Sequence, residues 1–285
     1  MKTLPAALSK RFDKLEAFWE EIMVRRYLGP VMVLVYLLTI GLIEMNRRGF
    51  LPPGPAGLIP QSHIDAVHVA FSFLLFFEVI ELIFGLSRSV SRALGKQLEI
   101  FAVILLRNSF KSFAGVEEPI TWDGMSGHML PLLSSSFGAL AIILLLAVFY
   151  RMHQRLPVSE NSRQRQSFIM VKKSLSLALF FVFMSIGAYS LFNLYAKGVL
   201  YPFFPVFFTV LILCDILLVL ISLGYDSRYP VVFRNSGFAV ATVLLRVGIT
   251  APAFYDVGLG IAATLYAMGI TLAYNLHAQG SDKQG

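Results

Sequence analysis

Long apolar runs broken by short polar segments recur along the chain from Leu28 to Leu276. A membrane-crossing helix needs roughly 20 mostly apolar residues. Eight stretches approach that pattern: Leu28–Met45, Ile64–Leu86, Leu98–Phe113, Met129–Tyr150, Leu175–Tyr195, Phe203–Leu223, Val231–Ile249 and Phe254–Leu276. All but the third are continuous. The third is interrupted by Arg107, Asn108 and Lys111.

Upstream of the first run the periodicity changes. Phe12, Leu15, Trp19 and Ile22 fall on one helical face, and Lys10, Arg11, Lys14, Glu20, Glu21, Arg25 and Arg26 fill much of the remainder. This predicts an amphipathic helix lying in the membrane interface over residues 1–27. The competing reading is a helix packed on a partner. The run near Leu28 lacks the short apolar region and small-residue cleavage pattern of a signal peptide, so it is expected to stay in the membrane.

Composition agrees with a lipid-embedded chain. Of the 285 residues 56% are hydrophobic and 14% charged, against about 25% charged in soluble domains. The single cysteine, Cys214, excludes an internal disulfide framework. A net charge of +7 would point a soluble protein toward nucleic acid. Here the positive-inside rule accounts for it, and no nucleic-acid partner is expected.

The charge map also decides the third segment. If it crosses and the N-terminus is cytosolic, nearly all basic residues outside the spans fall on the cytosolic side; Arg47, Arg48, Lys111 and Lys197 face the other way. If it does not cross, Arg151, Arg155, Arg163, Arg165, Lys172 and Lys173 would lie outside, against the bias. The expectation is a multi-pass protein of the cell membrane, an inner membrane, with both termini cytoplasmic and Arg107 within the bilayer.

Four landmarks recur in order. Arg48-Gly49-Phe50-Leu51-Pro52-Pro53 is echoed by Lys197-Gly198-Val199-Leu200-Tyr201-Pro202. An acid in the next helix, Glu78 or Glu81, is echoed by Asp215. Ala102-Val103-Ile104-Leu105-Leu106-Arg107 is echoed by Ala241-Thr242-Val243-Leu244-Leu245-Arg246, and Tyr150-Arg151-Met152-His153 by Tyr274-Asn275-Leu276-His277. The fold class expected is therefore all-α: eight transmembrane helices in two parallel four-helix repeats, with an amphipathic N-terminal helix. The first repeat covers 28–153 and the second 175–277. Residues 154–174 form a basic cytoplasmic linker and 278–285 a short tail. An even number of crossings per unit gives both units the same orientation, about an axis along the membrane normal.

Five ionisable residues lie inside the spans: Glu78, Glu81, Arg107, Asp215 and Arg246. Each such Arg or Asp costs about 2.5–3.5 kcal/mol on insertion scales, so it should pair or face water. At about 1.5 Å per residue, Glu78 and Arg107 lie at matching depths and form the preferred pair. Asp215 and Arg246 are mismatched by about 10 Å by the same count, which a long Arg stem covers in part. These residues are the candidate intramembrane polar path.

Other chemistry has less support. A voltage sensor needs a ladder of arginines in one helix, and Arg88, Arg92, Lys96, Arg107 and Lys111 leave an apolar gap after Lys96; the first three read as a solvated turn. The loop GVEEPITWDGMSGHMLP carries Glu117, Glu118, Asp123 and His128 without diagnostic metal spacing, and reads as solvated surface. His63, Asp65 and His68 sit at the outer end of the second span. His153 and His277 occupy equivalent ends and are the sole argument for haem. No phosphate-binding loop, nucleophile elbow or His-Glu-x-x-His motif is present. No catalytic residue, cofactor or metal is expected.

Three functions compete: a transporter or channel for an ion or small solute using the acid/Arg pairs; a non-catalytic integral subunit anchoring a larger membrane complex; and, remotely, a membrane redox protein. The partners expected are the lipid bilayer and either a second copy of the chain or a membrane complex.

Overall fold

In a computed structural model, the structure describes residues 3–19, 27–50, 59, 62–87, 90–112, 116, 121–153, 162–198, 201–224 and 228–281. The regular structure among these residues is helical: α1 (Thr3–Phe18), α2 (Leu28–Arg47), α3 (Asp65–Gly85), α4 (Val90–Lys111), α5 (Trp122–His153), α6 (Ser162–Lys197), α7 (Phe203–Leu223), α8 (Tyr229–Thr250) and α9 (Tyr255–Ser281). Seven of these, α2, α3 and α5 to α9, are long and apolar enough to cross a membrane. That suggests an integral, multi-pass protein.

Two boundaries differ from the sequence reading. Helix α5 begins at Trp122 and carries Pro131 inside it, so Asp123 and His128 are helical and not loop residues. Helix α6 begins at Ser162, so the second half of the basic linker is helix running into an apolar span. Glu117, Glu118 and Arg88 lie outside the described residues.

Helices α2 and α6 end alike. Gly49 (φ 74°) and Gly198 (φ 64°) adopt the left-handed conformation just past each helix. Their N–H groups donate to Asn46 O and Leu194 O, each at 3.0 Å. Glycine carries no Cβ penalty there, and the turn satisfies carbonyls that the helix end would leave orphaned.

Packing divides into two buried clusters. One joins α1, α3, α4, α6 and α7 through residues such as Phe12, Val79, Ile83, Ile104, Phe183 and Phe207. Phenylalanines build much of it: the Phe183 ring lies 5.0 Å from Phe76, 4.9 Å from Phe203 and 4.7 Å from Phe207 between centroids. The Phe207 contact is edge-on, which suits the aromatic quadrupole. The other cluster joins α4, α5, α8 and α9 through Leu98, Phe101, Ile142, Phe238 and Leu245. Helix α4 supplies both and packs against α3, α5, α8 and α9.

Glycines set how closely the second cluster packs. A Cβ on Gly260 would lie 2.3 Å from Phe101 and 2.7 Å from Ile142; one on Gly138 would lie 2.5 Å from Val257. Small residues let helix backbones approach where lipid gives no hydrophobic drive for association.

The apolar face of α1 finds its cover within the chain. Phe12 is fully buried and packs edge-on against Phe84 at 5.5 Å, while Trp19 stacks on Phe77 at 5.5 Å. Asp13 pairs with Lys173 of α6. The expected interfacial face is thus occupied by α3 and α6. Ile22 lies outside the described residues.

Candidate functional site

Asp215 of α7 and Arg246 of α8 meet directly. Arg246 Nε donates to Asp215 Oδ2 at 3.0 Å, with side chains 2% and 7% exposed. Depth counting made this the doubtful pair. The count followed Cα positions, but side chains on a helix tilt toward its N-terminus. Helix α7 runs toward the end where α1 packs and α8 runs away from it, so the two tilts bring Asp215 and Arg246 together. Arg246 Nη2 remains buried without a hydrogen-bond partner among the described residues.

The matching depths counted for Glu78 and Arg107 took Leu98 as the start of the third span, whereas α4 begins at Val90, so Arg107 stands farther along its helix than counted. No hydrogen bond or ion pair joins Glu78 to Arg107 among the described residues. Arg107 Nη2 donates to Asn108 Oδ1 at 3.3 Å, and Asn108 Nδ2 donates to Asp256 Oδ2 at 3.3 Å. Asp256 is 2% exposed and opens α9, where its Oδ1 accepts from Val257 N at 2.8 Å. A carboxylate suits the positive end of a helix dipole. The expected preferred pair is therefore replaced by a relay that ties α4 to α9. Asp256 was not singled out in the sequence, because it stands at a predicted helix end.

Glu81 belongs to a third group. Lys96 Nζ reaches Glu81 Oε1 at 2.9 Å and Glu99 Oε2 at 3.2 Å. Tyr150 O–H donates to Glu99 Oε1 at 2.8 Å. Lys96 is thus part of an ion-pair network and not of a solvated turn; Arg88 and the side chain of Arg92 lie outside the description. At the opposite end of the bundle, His63 Nε2 lies 3.5 Å from Glu44 Oε2. His277 is exposed at the end of α9.

Around the Asp215–Arg246 pair the structure contains a feature that periodicity did not reveal. A cavity of about 50 Å³ lies between α4, α6, α7 and α8, lined in part by Gln97, Lys172, Asp215, Ser222, Asn235 and Thr242. All six are buried. Gln97 Oε1 and Asn235 Oδ1 have no hydrogen-bond partner among the described residues. Lys172 Nζ sits 4.7 Å from the centroid of the Phe168 ring. The cavity lies toward the end where α1 packs, because α4, α6 and α8 begin there and α7 ends there. The only sequence signal for it was polar residues near the ends of several spans, and a span-by-span reading assigns those to the interface.

No protein-family model matches the chain, and no curated protein or solved structure is significantly similar to it.

Proposed function

We propose that the chain is a transporter or channel for an ion or small solute, built as two like-oriented four-helix units, with Asp215 and Arg246 at the centre of its intramembrane path. One observation carries this reading. Asp215 is both the acid of a buried ion pair and part of the wall of a cavity that several buried polar side chains enter. A purely structural ion pair gains nothing from an adjoining cavity, and intramembrane charges mark conduction pathways and relays.

In this reading α4 is the eighth crossing, and both termini face the cytoplasm. The duplication has support in helix pairing. The contacts α2–α3, α3–α4 and α4–α5 are matched by α6–α7, α7–α8 and α8–α9, and across the units α4 packs on α8 and α5 on α9. Like-with-like contact is what a twofold axis between related units requires. The glycine caps at Gly49 and Gly198 fall at equivalent places.

The test is flux in proteoliposomes containing the purified chain. Asp215→Asn is expected to insert and to lose transport, and Arg107→Gln to reduce it. Unchanged flux in Asp215→Asn sinks the reading.

A second reading, an integral subunit of a larger complex, is favoured by α2. That helix packs chiefly on α3 and leaves Val33, Leu34, Leu37 and Leu38 exposed. Mild extraction that brings down a fixed partner held by α2, together with absent flux, would favour it.

A further inference from the structure

Hydrogen-bond acceptors enter a cavity wall that is otherwise apolar. Asp215 uses Oδ2 for Arg246. Gln97 and Asn235, each 8% exposed, carry amide oxygens with no partner among the described residues. Ser222 and Thr242 spend their single O–H protons on their own helices, at 2.7 Å to Val219 O and 3.0 Å to Phe238 O. Toward the cavity those two oxygens can only accept. Buried acceptors left dry are costly. The volume, about 50 Å³, is several times the roughly 10–15 Å³ that one buried water needs.

Two titratable side chains face this space, Asp215 from α7 and Lys172 from α6. Arg246 of α8 bounds Asp215 from its other side. Cys214 precedes it on α7, and α4 contributes Gln97, which does not titrate. Asp215 is the one carboxylate among the described residues that line the cavity, so it is where a proton would bond.

We propose that the cavity is a hydrated proton-uptake site, in which waters held by Gln97 and Asn235 carry a proton to Asp215 from the end of the bundle where α1 packs. The proposal rests on the transport reading and names its substrate class, the proton. The step is a simple transfer. A hydronium in the water chain gives its proton to Asp215 Oδ1 and becomes water, while the Arg246 Nε–H bond to Oδ2 persists. Waters donate to the orphaned amide oxygens, and a chain of them connects a carboxylate that no side chain alone links to solvent.

The test is pH-difference infrared spectroscopy of the full-length chain in lipid nanodiscs. A carboxylic-acid C=O band is expected to appear on acidification and to vanish in Asp215→Asn. It should shift promptly on transfer to heavy water, because the site is wet. Gln97→Leu with Asn235→Leu is expected to move the band's midpoint or abolish it. If that double variant does not fold, Asn235→Ser, which keeps a hydrogen-bonding group, should retain the midpoint and Asn235→Val should move it. Three outcomes overturn the proposal: no Asp215-dependent band at any pH, a band that does not shift in heavy water, or a midpoint unmoved by the leucine or valine changes. Proton uptake at Asp215 in a protein without flux would uphold this site and refute the transport reading. Flux without an Asp215 band would do the reverse.

Discussion

Replacing one partner of the Asp215–Arg246 pair should cost far more than replacing both. At 3.0 Å and an effective dielectric of about 20, the Coulomb attraction is roughly 5 kcal/mol. Most of it offsets the desolvation of two buried ions, so the pair's net worth is small. Asp215→Leu removes the attraction and leaves the guanidinium buried with its Nη2 already unpartnered. Breaking a buried pair in this way costs about 3–5 kcal/mol. Arg246→Met strands the carboxylate at a similar cost. The double variant removes both charges and keeps apolar volume, so its stability should return to within about 2 kcal/mol of the parent. The resulting coupling is about 4 kcal/mol or more, above the usual 0.5–3 kcal/mol for residues in contact. The assay is reversible unfolding in mixed micelles, read for the parent, both single variants and the double variant. The same cycle on Glu78 and Arg107, which lack a direct bond, should give about 1 kcal/mol or less. Additivity at Asp215 and Arg246 within about 0.5 kcal/mol would refute the reasoning, because it would mean that each charge finds water or lipid headgroups instead of the other.

Three further outcomes follow from packing and backbone geometry. Gly260→Ala should destabilise by about 1–3 kcal/mol through overpacking against Phe101 and Ile142, whereas Gly269→Ala, with no atom within 4 Å of the added methyl, should stabilise by up to about 1 kcal/mol; thermal melts in detergent distinguish the two. Phe254, at φ 74° between α8 and α9, carries a left-handed penalty of about 1–2 kcal/mol. Phe254→Gly should therefore raise the melting temperature, less the entropy that glycine gains when unfolded. Phe12→Ala removes a fully buried ring worth about 3–5 kcal/mol. It should release α1 from α3 and α6, which limited proteolysis would detect as early cleavage within the first residues while the remaining spans stay protected.

That the chain folds into helices, seven of them long and apolar enough to cross a membrane, was legible because bilayer thickness imposes a length and an apolarity that any reader can count. The termini of α5 and α6 were not. Trp122–His128 and Ser162–Lys173 are polar enough to read as loop, yet backbone hydrogen bonding carries each helix beyond its apolar stretch. The five ionisable residues of the expected spans stood out singly, and of their partners only Arg246 for Asp215 was anticipated, as the pair with mismatched depths. Glu81 turned to Lys96, Arg107 to Asn108, and Asp215 to Arg246. Depth along a helix is one coordinate, while pairing also depends on which neighbour a face meets and which way a side chain leans.

The order of apolar runs, the basic bias and the placement of ionisable residues within them were determined by the sequence, since each follows from transfer energetics residue by residue. Which helices touch was decided by tertiary structure. Gly138, Gly237 and Gly260 admit close neighbours, α4 is enclosed by four helices, and Gln97, Lys172, Asp215 and Asn235, far apart in the chain, line one cavity. A cavity exists only where the surfaces of several helices fail to fill the space between them, and no property of a single span encodes that.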